Sequence, residues 1–173
     1  GTLLQGRGNR TFRWDDIQER HREIAMNTLV GILMGSESDR ETMEKTCAVL
    51  DRYGIPWELN VMSAHRNPVE VADYSRSAAE RGLKVIIAAA GLAAHLAGAV
   101  AAGTELPVIG VPVQGGPLNG FDALLSTVMM PRGVPVATVA IGSHGAANAG
   151  HLAARIIALF DEGVAGRLKS YGS

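Results

Sequence analysis

The sequence predicts an α/β protein of three layers, a doubly wound parallel sheet of about five strands between helices. Three observations carry this expectation. Continuous apolar runs such as Val85–Ala89 and Val108–Val111 have the pattern of parallel strands covered on both faces. Segments with helical spacing alternate with those runs. Glycine and proline stand at the junctions, where helices end and turns begin.

Leu29–Met34 opens the pattern as a short strand followed by Gly35-Ser36. Met43, Cys47, Leu50 and Tyr53 then recur at i, i+4, i+7 and i+10, one face of a helix that Gly54 and Pro56 terminate. Trp57, Leu59 and Val61 alternate with Glu58 and Asn60, a strand with two unlike faces that belongs near the sheet edge. Pro68 suits the first turn of the next helix, with Val71, Tyr74 and Ala78 on one side and Gly82 at its close. The most apolar stretch, Val85 to Ala102, is interrupted by Gly91, His95 and Gly98 and reads as strand, loop and helix instead of a membrane span. Val134–Ile141 is expected as a further buried strand and Ala146–Phe160 as the last long helix. The arrangement, with right-handed crossovers, is flavodoxin-like.

Residues 28–160 are therefore expected to form one α/β domain, and 161–173 a C-terminal tail. Residues 1–27 differ in character: Gly1 to Arg13 holds three glycines and three arginines, and Trp14 to Met26 is charged and loosely amphipathic. Either Met26 is the natural start and the preceding residues an upstream extension, or the segment is a helical arm packing on a neighbouring subunit.

At 173 residues with 47% hydrophobic and 19% charged residues, the chain can bury a full core as one domain. A net charge of −1 supplies no global field for nucleic acid or an anionic membrane, so an anionic ligand must be held locally. Cys47 is the only cysteine, which rules out an internal disulfide and fits a reducing compartment; it is expected in the core. With no secretory signal apparent, the expected location is cytoplasmic.

In a doubly wound sheet, ligands bind beyond the carboxyl ends of the strands, which singles out the loops at 35–39, 63–67, 90–95, 112–119 and 142–145. Gly35-Ser36-Glu37-Ser38-Asp39 follows a strand and opens a helix; glycine allows close approach, and the free N–H groups of a first helical turn attract phosphate. Asp39 can accept bonds from ribose hydroxyls, or Ser38 and Asp39 simply cap the helix. The loop has neither the dinucleotide-binding glycine spacing nor a P-loop lysine. In Ser63-Ala64-His65-Arg66-Asn67-Pro68, His65 can carry a proton near neutral pH and Arg66 can bind phosphate or carboxylate. Ala90-Gly91-Leu92-Ala93-Ala94-His95-Leu96 surrounds a second histidine with small residues, leaving room for a planar ligand. Pro112 to Gly120 is rich in glycine and proline and is expected to cover the pocket. His144 and His151 lack ligand spacing for zinc, and none of the serines sits in a G-x-S-x-G elbow.

Together these runs resemble the N5-carboxyaminoimidazole ribonucleotide mutase family, the class I form of the phosphoribosylaminoimidazole carboxylase catalytic subunit. The similarity rests on Met34–Asp39, Ser63–Pro68, Ala89–Leu96, Gly110–Val113, Leu118–Ser126 and Met130–Gly142, and spans about Thr28 to Leu159. The resemblance implies an isomerase of de novo purine (IMP) biosynthesis that converts N5-carboxyaminoimidazole ribonucleotide to its 4-carboxy isomer, with no metal or organic cofactor. It implies that His65 is the acid/base and that Ser36, Asp39 and Arg66 hold the ribose phosphate. Ser63, Gly91, His95 and Leu96 complete the substrate-contacting set, His95 and the 90–96 loop lining a carboxylate or CO2 pocket. It further implies a homo-octamer with no nucleic-acid or membrane partner. The segment Gln114-Gly115-Gly116-Pro117 departs from the family pattern by lacking the usual serine and basic residue, and the N-terminal arm has no counterpart. Arg66, where the class II carboxylases that use free CO2 carry lysine, favours the mutase. The rivals are that class II enzyme and a nucleotide-binding regulatory module suggested by Gly142-Ser143-His144-Gly145.

Overall fold

The computed structural model describes residues 28–171, and the first 27, including the expected arm, lie outside the described residues. Five parallel strands, β1 (Val30–Met34), β2 (Trp57–Val61), β3 (Val85–Ala90), β4 (Val108–Pro112) and β5 (Ala137–Thr138), lie in the order β2-β1-β3-β4-β5. Six helices connect and cover them: α1 (Arg40–Arg52), α2 (Pro68–Ser77), α3 (Leu96–Ala102), α4 (Phe121–Val128), α5 (Ser143–Ile157) and α6 (Glu162–Tyr171). This is the doubly wound, flavodoxin-like order expected, and its topological switch lies between β1 and β3.

The alternation of side chains along buried strands divides the core in two. Val30, Ile32 and Met34 of β1, with Val85 and Ile87 of β3, face Met43, Cys47 and Leu50 of α1 and an alanine-rich side of α5. Leu33 and Ile86 point the other way, against Val71 and Tyr74 of α2 and Leu96 and Val100 of α3. Alanine and glycine on α5 let α1 come close enough for the Thr46 hydroxyl to donate to the Ala146 carbonyl (2.7 Å). Gly31 has the same use within the sheet, since a Cβ there would fall on the Tyr74 hydroxyl. That hydroxyl donates to Glu58 (2.6 Å), which Arg81 also grips while lying over the Tyr74 ring.

Three expectations need correction. Val134–Ile141 does not form a buried central strand: only Ala137 and Thr138 pair, at the sheet edge, and Ala137 is exposed. Pro135 has no N–H for a ladder, so the apolar run cannot continue as a regular strand. The last long helix begins one turn earlier than expected, at Ser143, directly after Gly142 turns the chain with φ 77°. The segment expected as a tail is helical and packed over its described part: α6 packs on the domain through buried Val164, Asp161 caps it by accepting from the Val164 N–H (2.9 Å), and Arg167 donates to the Tyr53 carbonyl (2.5 Å). No helix among the described residues is long and apolar enough to cross a membrane.

Cys47 is 8% exposed. Burial, with Asp51 and Glu44 nearby, pushes its thiol up to about 11. The folded thiol therefore stays protonated where an unfolded one ionises, and the stability this contributes is lost as pH rises from about 9 towards 11. Thiol reagents are expected to leave Cys47 unmodified in the native protein at pH about 8 and to label it fully once the chain is denatured; rapid native labelling, followed by mass spectrometry, would contradict this burial.

Candidate active site

The carboxyl ends of β1, β2 and β3 open onto a cavity of about 550 Å³. It is lined by all eight residues singled out from the sequence: Ser36, Asp39, Ser63, His65, Arg66, Gly91, His95 and Leu96. Four chain segments supply its walls because parallel strands end on the same side of the sheet. The register Met34↔Ala89 puts Gly35 against the end of β3, where its N–H donates to the Ala89 carbonyl (3.0 Å).

Ser36 proves to be the helix cap in the first loop. Its Oγ accepts from the Ser38 N–H (3.3 Å) and the Ser38 hydroxyl (2.9 Å). Asp39 makes no side-chain cap. Its carboxyl is buried, and that burial raises its pKa above the ordinary aspartate value, partly offset by the Ser36 backbone and the Ser38 side chain. A buried acid of this kind opposes folding when ionised.

In the second loop Ser63 is a scaffold. Its Oγ accepts from the N–H groups of His65 and Arg66 (both 3.3 Å), and its own N–H donates to Asn67 Oδ1 (3.3 Å). This tight turn presents His65 and Arg66 outward. Arg66 Nη2 donates to the Gly35 carbonyl (2.8 Å), tying the second loop to the first while its guanidinium lines the cavity.

The third loop brings His95 to His65: Nδ1 of His95 lies 2.7 Å from Nε2 of His65, the rings edge to face with centroids 4.8 Å apart. For the contact to be a hydrogen bond, one nitrogen must donate and the other accept. Neither spacing nor periodicity foretold this contact between residues 30 positions apart. Leu92 reaches φ 54°, a left-handed conformation that costs a non-glycine residue about 1–2 kcal/mol. Its side chain lies against Gly116, where a Cβ would collide with Leu92 Cδ2 at 2.5 Å and where φ is +62°. The departure at 114–117 is therefore matched by this contact: a side chain at 116 would displace Leu92. Gln114 and Gly115 also line the cavity. His144 and His151 do not; His151 instead meets the Tyr53 hydroxyl (3.1 Å), and burial lowers its pKa, Arg155 and Arg52 adding to the effect. Among the described residues no three His, Cys, Asp or Glu side chains group as a metal ion would require.

Residues 29–173 match the family described as AIR carboxylase. The chain belongs to that family. It is 59% identical over 143 residues to the N5-carboxyaminoimidazole ribonucleotide mutase of Bacillus subtilis, covering 83% of this chain and 88% of that one. The Vibrio parahaemolyticus protein of the same name is 55% identical over 142 residues, covering 82% and 88%. The phosphoribosylaminoimidazole carboxylase of Schizosaccharomyces pombe is 49% identical, with 95% of this chain matched to 31% of that longer protein. That share exceeds what residues 28–173 can supply, so the likeness takes in part of the N-terminal 27 residues, for which the sequence alone offered no counterpart. A crystal structure of Treponema denticola PurE superposes with a TM-score of 0.74 at 34% identity, covering 83% of this chain and 88% of that one. The AIR carboxylase family match also extends through α6, in agreement with its packed position.

Asp39 carries a testable consequence. Its folded pKa is raised, so the favourable contribution of its acid form is present at low pH and lost as pH rises through the folded value. Asp39→Asn is therefore expected to stabilise the fold at neutral pH while weakening nucleotide binding. In the unaltered protein, affinity measured by calorimetry should fall on acidification through the raised pKa, and the variant should lack that dependence; equal affinity in both proteins at neutral pH would remove Asp39 from the binding site.

Proposed function

We propose that the protein is an N5-carboxyaminoimidazole ribonucleotide mutase, converting that nucleotide to 4-carboxy-5-aminoimidazole ribonucleotide in de novo purine biosynthesis. The observation that carries the reading is the His65–His95 contact in the lining of a cavity with small walls, in a chain 59% identical to a protein of that name.

The chemistry asks for what this cavity offers. Protonation of the carbamate nitrogen breaks its bond to the carboxyl carbon and releases CO2, leaving an electron-rich aminoimidazole. C4 then attacks the retained CO2, and removal of the C4 proton restores the aromatic ring. The net proton balance is zero, so one group that enters protonated can donate first and receive last. His65 takes that role, and His95 accepts or returns its Nε2 hydrogen bond as the charge on the pair changes. Arg66 and the Ser36–Asp39 turn hold the ribose phosphate through charge-assisted bonds and free N–H groups. Ala90, Gly91 and Ala93 leave room for the planar imidazole and the CO2. Holding CO2 beside C4 makes recarboxylation effectively unimolecular. The substrate supplies both the carboxyl group and the ring, and the mechanism calls on no cofactor. The exposed apolar residues Phe121, Leu125 and Val128 of α4 and Met129 just after it, between 46% and 76% exposed, support assembly with further copies; the homo-octamer is proposed from the family resemblance. The cytoplasm is the proposed setting.

Three measurements test the reading. Supplied separately with the N5-carboxy nucleotide and with aminoimidazole ribonucleotide plus bicarbonate, the protein is expected to turn over the first; product from the second pair alone would establish the class II carboxylase instead. His65→Asn is expected to lose about 10²–10⁴-fold in kcat with KM little changed, as removal of a proton carrier should. Arg66→Ala should mainly raise KM, by about 10–100-fold for the loss of a charge-assisted contact. Near-normal kcat in the His65 variant would take the shuttle away from that residue.

A further inference from the structure

The Gly91–His95 loop walls the cavity on one side, and its left-handed Leu92 persists only because its surroundings hold it. The holder comes from outside the loop. Ser126, on the last turn of α4, accepts a hydrogen bond at Oγ from the Ala94 N–H (3.0 Å). Its hydroxyl proton is within reach of three carbonyls, those of Asp122 (2.8 Å), Ala123 (3.2 Å) and Leu92 (3.3 Å). Ala94 is 1% exposed, so its N–H cannot turn to water. Its other acceptor is the Leu92 carbonyl (2.9 Å), two residues back in the bent geometry of a three-residue turn. The hydroxyl proton is best placed for the Asp122 carbonyl of its own helix, so Oγ ties Ala94 to α4 by accepting its N–H, and the next residue is His95, in contact with His65.

We propose that Ser126 is a positioning residue for the reaction: by clamping the Gly91–His95 wall to α4 it keeps CO2 in the cavity between decarboxylation and recarboxylation. The proposal rests on the mutase reading. Once the carbamate C–N bond breaks, its electron pair stays on nitrogen with the proton from His65, and CO2 is bonded to nothing. The C4–carboxyl bond then forms with the ring's electron pair, and the C4 proton returns to His65. In the interval only the walls oppose escape. Ser126 touches neither reacting atom, so losing its hydroxyl leaves the bond-making groups in place and loosens the wall.

The experiment supplies N5-carboxyaminoimidazole ribonucleotide labelled in its carboxyl group, in unlabelled bicarbonate. It counts, per product formed, the aminoimidazole ribonucleotide released and the label lost, after subtracting the loss without enzyme. Ser126→Ala is expected to raise both at least about five-fold, and Ser126→Thr, which keeps the hydroxyl, to stay within about two-fold of the unaltered protein. Slower turnover in Ser126→Ala with unchanged label retention would overturn the proposal, since a merely weakened fold leaves less active enzyme without redirecting its CO2. Hydrogen exchange at the Ala94 amide is the second readout: the clamp predicts about ten-fold faster exchange in Ser126→Ala, and an unchanged rate overturns it. If the unaltered protein forms no product from the N5-carboxy nucleotide, the mutase reading falls instead, and exchange at Ala94 still decides whether the clamp exists.

Discussion

The parallel pairing of β1 with β3, Met34 beside Ala89 and the Gly35 N–H on the Ala89 carbonyl, is the constraint from which the cavity follows. It makes β1 an interior strand with β2 on its other side, so three loops leave the sheet at adjacent points. Helix α1 departs to one face while α2 and α3 cover the other, and the crevice between them is left for a ligand. Buried side chains hold this register on both faces: a slip by one residue would exchange the α1-facing set of β1 for the α2-facing one.

Within that frame the loops brace one another. Arg66 reaches the Gly35 carbonyl, His65 meets His95, Leu92 lies on Gly116, and Ser126 secures Ala94. Every one of these contacts joins two different connections of the sheet. A reaction that passes through an unattached CO2 demands this arrangement, because walls that move independently cannot retain a small neutral molecule. The loops are tied, and the small residues at 90, 91 and 93 keep the tied space open.

The binding cost is visible at Asp39. Its carboxyl is buried and its pKa is raised, so ionising it costs the fold stability. The destabilisation falls where the nucleotide is proposed to bind, whereas the buried thiol of Cys47 shows the opposite case, a titratable group that packs as a neutral core residue.

Helical and strand periodicities determined most of the fold, since burial on two faces, on one face or on a helical stripe each leaves its own spacing of apolar residues. The loops bearing His65, Arg66, Asp39 and His95 were legible for a related reason: residue types with chemistry stood just beyond apolar runs, and the family resemblance assigned their roles. Spacing misjudged β5, because an apolar run around Pro135 looks the same whether it enters the sheet or skirts its edge. It also missed α6, whose apolar anchors Val164 and Leu168 are too few to form a pattern. Only tertiary structure decided that His65 touches His95, that Gly116 makes room for Leu92, and that Ser126 secures Ala94. Those are contacts between segments far apart in the chain, set by where parallel strands end in space, and periodicity along one segment carries no information about its distance from another.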